Sequence, residues 1–280
     1  MHNIKLLREN IKDFKKKLSN RNFDFNEKEF EDLDKDNRKL ISQKEKLEQE
    51  KKILSKSKDK LNFEKSKKIS EEITKLSDEQ IIIQNKINKI LHFLPNLALD
   101  DVPVGKDEKT NKLIEQFGSI KKFNFKPKSH IELGLKNKQI DFDTSIKLSG
   151  SRFVVLRDKI ALLERALINF MLDIHTTEFD YTEISPPLIV NEDVMFGTGQ
   201  IPKFEADQFE IKFENSEQRK FLIPTAEVSL TNLIRKSLIK KEDLPQRFVA
   251  STPCFRKEAG SYGKDTKGMI RQLQFYKVEL

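Results

Sequence analysis

The chain has a single cysteine, Cys254, so no internal disulfide can form, and its four histidines are scattered rather than set with cysteine at metal-ligand spacing. A structural zinc site is excluded, and a reducing, cytoplasmic setting is the default expectation. No apolar run approaches the roughly 20 residues a membrane span needs. The opening stretch mixes acids with bases where a secretory signal keeps a continuous apolar centre. Apolar residues make up only 36% of the 280, against 35% charged, so part of the chain is expected to be extended and water-exposed. The length still allows two domains and one sizeable core.

What is present is positive charge and periodicity. A formal net charge of +8 favours a polyanionic partner, although a lysine-rich proteome gives the same balance. Ile4, Leu7, Ile11, Phe14 and Leu18 recur at steps of three and four, the stripe of an amphipathic helix. From about residue 26, Leu33, Leu40, Leu47 and Leu54 fall seven apart, behind Phe30 and with polar Asn37, Lys44 and Lys51 in the alternate seam positions. A second series, Ile69, Ile73, Leu76, Gln80, Ile83, Ile87, Ile90 and Leu94, steps by four and three. Two long helices with a short connection must run antiparallel. Residues 26–94 therefore predict a hairpin arm, about 45 Å long at ~1.5 Å per residue. Such an arm is too narrow for an active site, and its lysine-rich end reads either as a solvated turn or as a surface that reaches something.

Pro95 ends the helical pattern. Leu148 to Leu156 reads as a strand, and Asp158 to Thr176 as a helix with the stripe Ile160, Leu163, Leu167, Phe170, Met171 and Ile174. His130 reads as a packed or exposed linker histidine. Gly197 and Gly199 lack the remaining glycine spacing and the βαβ context of a dinucleotide cradle, so a Rossmann reading is rejected. Phe221 to Val228 reads as a strand breaking into Thr225-Ala226-Glu227 and a helix, with Thr225 able to cap it.

The last stretch, Cys254 to Leu280, reads as a strand, a glycine-bearing loop and a returning strand. Alternation places Arg256 and Glu258 on one side, and Arg271, Leu273, Phe275, Lys277 and Glu279 on one side of the return. A guanidinium suits phosphate, an aromatic ring can stack on a base, and a carboxylate can accept from a small polar substrate. A solvated hairpin explains Phe255-Arg256-Lys257-Glu258 taken alone.

The whole stretch, FRKEAG followed by DTKG and RQLQF, closely resembles motif 2 of class II aminoacyl-tRNA synthetases, in the form found in seryl-tRNA synthetases. The resemblance extends to the basic-ended arm, to Phe179 to Leu188 as motif 1, to Phe196 to Phe204 as a loop near the active site, and to Thr225-Ala226-Glu227. It implies an α+β fold: an antiparallel coiled-coil tRNA-binding arm over residues 1–100, a connector over 101–130, and a class II catalytic domain, an antiparallel sheet with helices, over 131–280. It implies activation of L-serine with ATP and magnesium and transfer to tRNA(Ser), with tRNA(Sec) as a further acceptor, by a homodimer formed through motif 1.

By the same resemblance Arg256 is the catalytic cation on the α-phosphate. Lys257, Glu258, Arg271 and Phe275 complete the ATP contacts, and Thr225, Ala226, Glu227 and Glu279 bind serine. Lys51, Lys52, Lys56, Lys58, Lys60, Lys65, Lys67 and Lys68 at the arm end meet tRNA. No metal ligands are assigned. No third motif follows Leu280, so the chain is expected to be an N-terminal fragment that binds tRNA weakly and makes little or no adenylate. The alternative is a non-catalytic tRNA-binding relative, against which the intact Arg256, Glu258, Phe275 and Glu279 argue. A carrier-protein ligase on the same fold lacks the long arm, and a purely structural coiled coil leaves residues 95–280 unexplained.

Overall fold

The structure is a computed structural model and describes residues 2–55, 60–214, 216–259 and 268–280, without the side chains of Lys60 and Leu61. The chain divides into two compact units, residues 1–119 and 120–280, a division that falls inside the stretch read from the sequence as a connector.

In the first unit, the single helix expected from the stripe Ile4 to Leu18 is two: α1 (Ile4–Glu9) and α2 (Ile11–Ser19). Asn10 leaves helical geometry at φ −131° and ψ 35°. Its amide still donates to the Leu6 carbonyl at 3.1 Å, and the Asn10 carbonyl accepts the Phe14 amide at 3.0 Å, so the apolar stripe survives the kink. Leu7, Phe14 and Leu18 bury against Phe25, Phe30, Ile87, Leu91 and Leu94.

The arm is α3 (Glu27–Leu54) and α4 (Lys60–Phe93). Asn26 starts α3 by accepting the Glu29 amide at 3.2 Å and donating to its carboxylate at 2.9 Å. Asn37 donates to Gln84 at 3.3 Å and Lys44 to Gln80 at 3.0 Å. As one number rises the other falls, so the helices are antiparallel. Leu40, Ile69 and Ile87 are buried on the seam, and Leu33, Leu47, Leu54, Ile73 and Leu76 are half-buried along it. Asp34, buried beside Asn37, accepts Arg8 Nε at 2.8 Å and pairs with Arg38 at 3.2 Å, which ties α1 to the arm.

In the second unit α5 (His130–Asn137) opens with a capping box between Ser129 and Glu132. The strand expected over Leu148 to Leu156 is a correction. The strand is confined to β2 (Val155–Leu156), paired antiparallel with β1 (Ile140–Asp141); Leu148 and Ser149 close α6 (Phe142–Ser149), and residues 150–154 turn the chain between the two. Asp141 caps that helix by accepting the Thr144 amide at 2.9 Å, and Gly150, at φ 93°, ends it. Those bonds from Thr144, with the Arg157 guanidinium, hold the Asp141 carboxyl down at about 2.

Next come α7 (Asp158–Glu178), β3 (Thr182–Glu183), β4 (Ile189–Asn191), α8 (Glu192–Gly197), β5 (Glu210–Ile211), β6 (Lys220–Leu222), α9 (Glu227–Asn232), β7 (Phe248–Phe255) and β8 (Gln274–Glu279). One sheet orders β3-β7-β8, with β3 parallel to β7 and β7 antiparallel to β8, and another orders β4-β6-β5, antiparallel throughout. Val190, Met195, Ile201, Phe221, Ile223 and Val228 pack one core, and Ala226, Leu230 and Ala250 a second. The helix α7 has no buried residue, and Leu162, Leu163, Leu167, Phe170 and Met171 along it are exposed.

Candidate active site

The register of β7 on β8 pairs Cys254 with Phe275, Thr252 with Lys277 and Ala250 with Glu279. Opposed residues share a face. Phe275, Lys277 and Glu279 therefore rise from one surface whose floor is the buried Cys254, Thr252 and Ala250. Burial pushes the Cys254 thiol up, and it behaves as part of that floor.

Arg256 lies just past the end of β7, and its guanidinium carbon sits 5.3 Å from the centre of the Phe275 ring. Its Nε donates to the Pro224 carbonyl at 3.2 Å, and the Phe255 amide donates to the Ile223 carbonyl at 2.9 Å. Those two bonds bring the segment before Thr225 against the end of β7. At the other end of the face the Thr225 hydroxyl donates to Glu279, Lys277 Nζ donates to the same hydroxyl at 3.0 Å, and Lys277 pairs with Glu279.

Thr225 was expected to cap a helix, and here the structure differs. The cap residue of α9 is Ala226, with no side-chain bond, because the Thr225 hydroxyl is engaged by Glu279 and Lys277. Thr225 and Ala226 are buried, while Glu227 is exposed on the first turn of α9.

Strict alternation does not extend past the strands. Glu258 takes φ 53°, and Arg271 precedes β8, yet Arg271 meets the Glu258 carboxylate at 3.1 Å. Lys257 turns away from this group: its amide donates to the Asp207 carbonyl at 2.8 Å, and its ammonium lies 5.6 Å from the Phe209 ring centre. The glycine-bearing loop falls largely outside the described residues, as do Lys56 and Lys58 and the side chain of Lys60. Of the remaining arm-end lysines, Lys52, Lys65, Lys67 and Lys68 are exposed, and Lys51 is half-buried on the seam.

Three residues at the site were given no role from sequence. Lys277 alternates with Phe275 and Glu279, so its face was readable, but its bond to Thr225 was not. Asp207 accepts the Ala259 amide at 2.7 Å, and Arg152 accepts the Leu273 amide on its carbonyl at 3.0 Å. Neither carries a local signal, because each works through distant main chain.

The family profile "Seryl-tRNA synthetase N-terminal domain" matches residues 1–98, and "tRNA synthetase class II core domain (G, H, P, S and T)" matches residues 209–280. The crystal structure of seryl-tRNA synthetase from Pyrococcus horikoshii complexed with ATP superimposes with a TM-score of 0.84 at 34% identity, covering 99% of this chain and 68% of that one. The chain belongs to the seryl-tRNA synthetase family. Serine–tRNA ligases of Pelagibacter ubique and a Sulfurihydrogenibium species are 60% and 53% identical to it over 198 residues, 71% of this chain and 47% and 46% of theirs. The chain thus spans about half the length of these seryl-tRNA synthetase relatives. The paired helices α3 and α4 followed by small sheets with helices agree with the α+β architecture of the family.

Proposed function

We propose that this chain acts as a serine–tRNA ligase does, seating ATP and L-serine on the β7–β8 face for formation of seryl-adenylate and presenting the α3–α4 arm to tRNA(Ser). The observation that carries the reading is the single face with an arginine on an aromatic ring at one end, Arg256 on Phe275, and the Thr225, Lys277 and Glu279 cluster at the other. Family membership and the Pyrococcus horikoshii relative's complex with ATP support it.

In the first step a serine carboxylate oxygen attacks the α-phosphorus of ATP and the bond to pyrophosphate breaks. In the second, the terminal ribose hydroxyl of the tRNA attacks the adenylate carbonyl and AMP leaves. Neither step needs a protein nucleophile, so catalysis rests on positioning and on cations placed where phosphate charge develops. Arg256 takes the α-phosphate, Phe275 stacks on adenine, and Glu258 and Arg271 complete the ATP contacts, with Lys257 in the same segment but directed toward Phe209. Ala226 lines the serine pocket and Glu227 faces the substrate ammonium. Glu279 with Thr225 accepts the serine hydroxyl, a bond that alanine cannot make. Magnesium is expected with the ATP phosphates. Among the described residues no three of His, Cys, Asp or Glu cluster to hold it, and no step is assigned to it.

Lys51, Lys52, Lys56, Lys58, Lys60, Lys65, Lys67 and Lys68 bind tRNA phosphates. The exposed apolar side of α7 supports a homodimer, since five exposed large apolar residues on one helix call for a partner surface. No helix among the described residues is long and apolar enough to cross a membrane, and the setting proposed is cytoplasmic. The test is binding of a non-hydrolysable seryl-adenylate analogue against its alanyl counterpart. Preference for the seryl form by about tenfold or more, at least the worth of one hydrogen bond, supports the reading, and equal binding refutes it.

A further inference from the structure

We infer that His130 is a positioning residue of the ATP site, whose imidazole fixes the main chain at Met269 and thereby aims Arg271. The inference rests on the ATP reading of the β7–β8 face. His130 Nε2 lies 3.0 Å from the Met269 amide nitrogen. A main-chain N–H only donates, so Nε2 is the acceptor and the ring proton sits on Nδ1.

The ring is exposed, but the backbone that carries it is fixed and Gly268 lies close against it. The capping box fixes the first turn of α5: the Glu132 amide donates to Ser129 Oγ at 3.2 Å, and the Ser129 amide donates to Glu132 Oε2 at 2.8 Å. Opposite, Gly268 adopts φ +100°, and a Cβ there would lie 2.8 Å from His130 Nε2 and 3.0 Å from Ile131 Cδ1. Glycine is required both by the backbone angle and by the closeness of the ring.

Four residues on, the Leu273 amide donates to the Arg152 carbonyl at 3.0 Å, and the Leu273 carbonyl accepts the Arg256 amide at 3.0 Å. Arg271 is midway between these two fixed points. Its guanidinium meets Glu258 at 3.1 Å, and the Glu258 carbonyl accepts the Arg152 guanidinium at 3.4 Å. The bond at Met269 thus holds one end of the stretch that carries Arg271, and the bonds at Leu273 hold the other, so losing the first loosens the aim of Arg271.

The experiment uses the whole chain with His130→Phe, which keeps ring volume without an acceptor, and His130→Gln, whose amide oxygen restores one near the same place. Amide exchange at Met269 should quicken by roughly fivefold or more in His130→Phe, the effect of losing one ordinary hydrogen bond, and return toward wild type in His130→Gln. The Arg271 side-chain Nε–H resonance should broaden in His130→Phe and sharpen again in His130→Gln. Unchanged Met269 exchange in His130→Phe overturns the inference. So does faster exchange with an unaltered Arg271 signal, which leaves His130 holding the main chain and aiming nothing.

ATP titration of the same samples with Arg256→Ala as comparator separates the two readings. Loss of affinity in His130→Phe and in Arg256→Ala, with recovery in His130→Gln, supports the aim of Arg271 at ATP. Unaltered ATP affinity in Arg256→Ala counts against the ATP reading, while the exchange data still decide on His130.

Discussion

Across the arm seam, Asn37 finds Gln84 and Lys44 finds Gln80, partners that a hairpin of two heptad helices brings opposite one another once its turn is placed. At the site, Thr225 meets Glu279, 54 positions away, and Met269 meets His130, 139 positions away, with no repeat to announce either. The arm is a periodic structure whose residues do similar work turn after turn. The site is a set of single contacts, each made once, on a floor of small buried residues. Substitution should therefore be graded and diffuse in the arm, and sharp and local around the hairpin.

The largest effect expected from that contrast is in the packed core on the β4-β6-β5 sheet. Phe221 is 1% exposed, and Phe221→Ala should cost about 3–5 kcal/mol of unfolding free energy. Leu47 on the arm seam is half-buried, and Leu47→Ala should cost only about 1–2 kcal/mol, scaled down for its partial burial. Denaturant titration of both variants checks this, and equal losses would erase the distinction between graded seam and packed core.

A smaller effect belongs to the arm end. Replacing Lys65, Lys67 and Lys68 by alanine should weaken tRNA binding at low salt and flatten the slope of log affinity against log salt by up to about one unit per lysine. Arg256→Ala should leave that slope where it is. A slope unmoved by the triple substitution would remove the arm end from the tRNA surface.

The same contrast explains what was legible beforehand. Both arm helices and the face shared by Phe275, Lys277 and Glu279 follow from periods of 3.5 and 2, which survive whatever surrounds them. The break at Asn10 was not legible, because the apolar stripe runs through it unchanged. The strand read over Leu148 to Leu156 shrank to its last two residues, because the helix that Asp141 caps runs on to Ser149 and Gly150 turns the chain after it. Thr225 looked like a cap because caps are local, whereas its partners Glu279 and Lys277 lie on a strand far along the chain. Asp207 and His130 hold the ends of the hairpin with side chains that meet distant main-chain amides, and Arg152 with its own carbonyl, so no local residue pattern announces them.

The most direct test of the account is saturation-transfer NMR of ATP with the chain. Transfer to the adenine protons should be seen with wild type and with the Lys65, Lys67 and Lys68 triple variant, and should be lost in Phe275→Ala and strongly reduced in Arg256→Ala. Adenine transfer that persists undiminished in both site variants would contradict the placement of the nucleotide on the β7–β8 face.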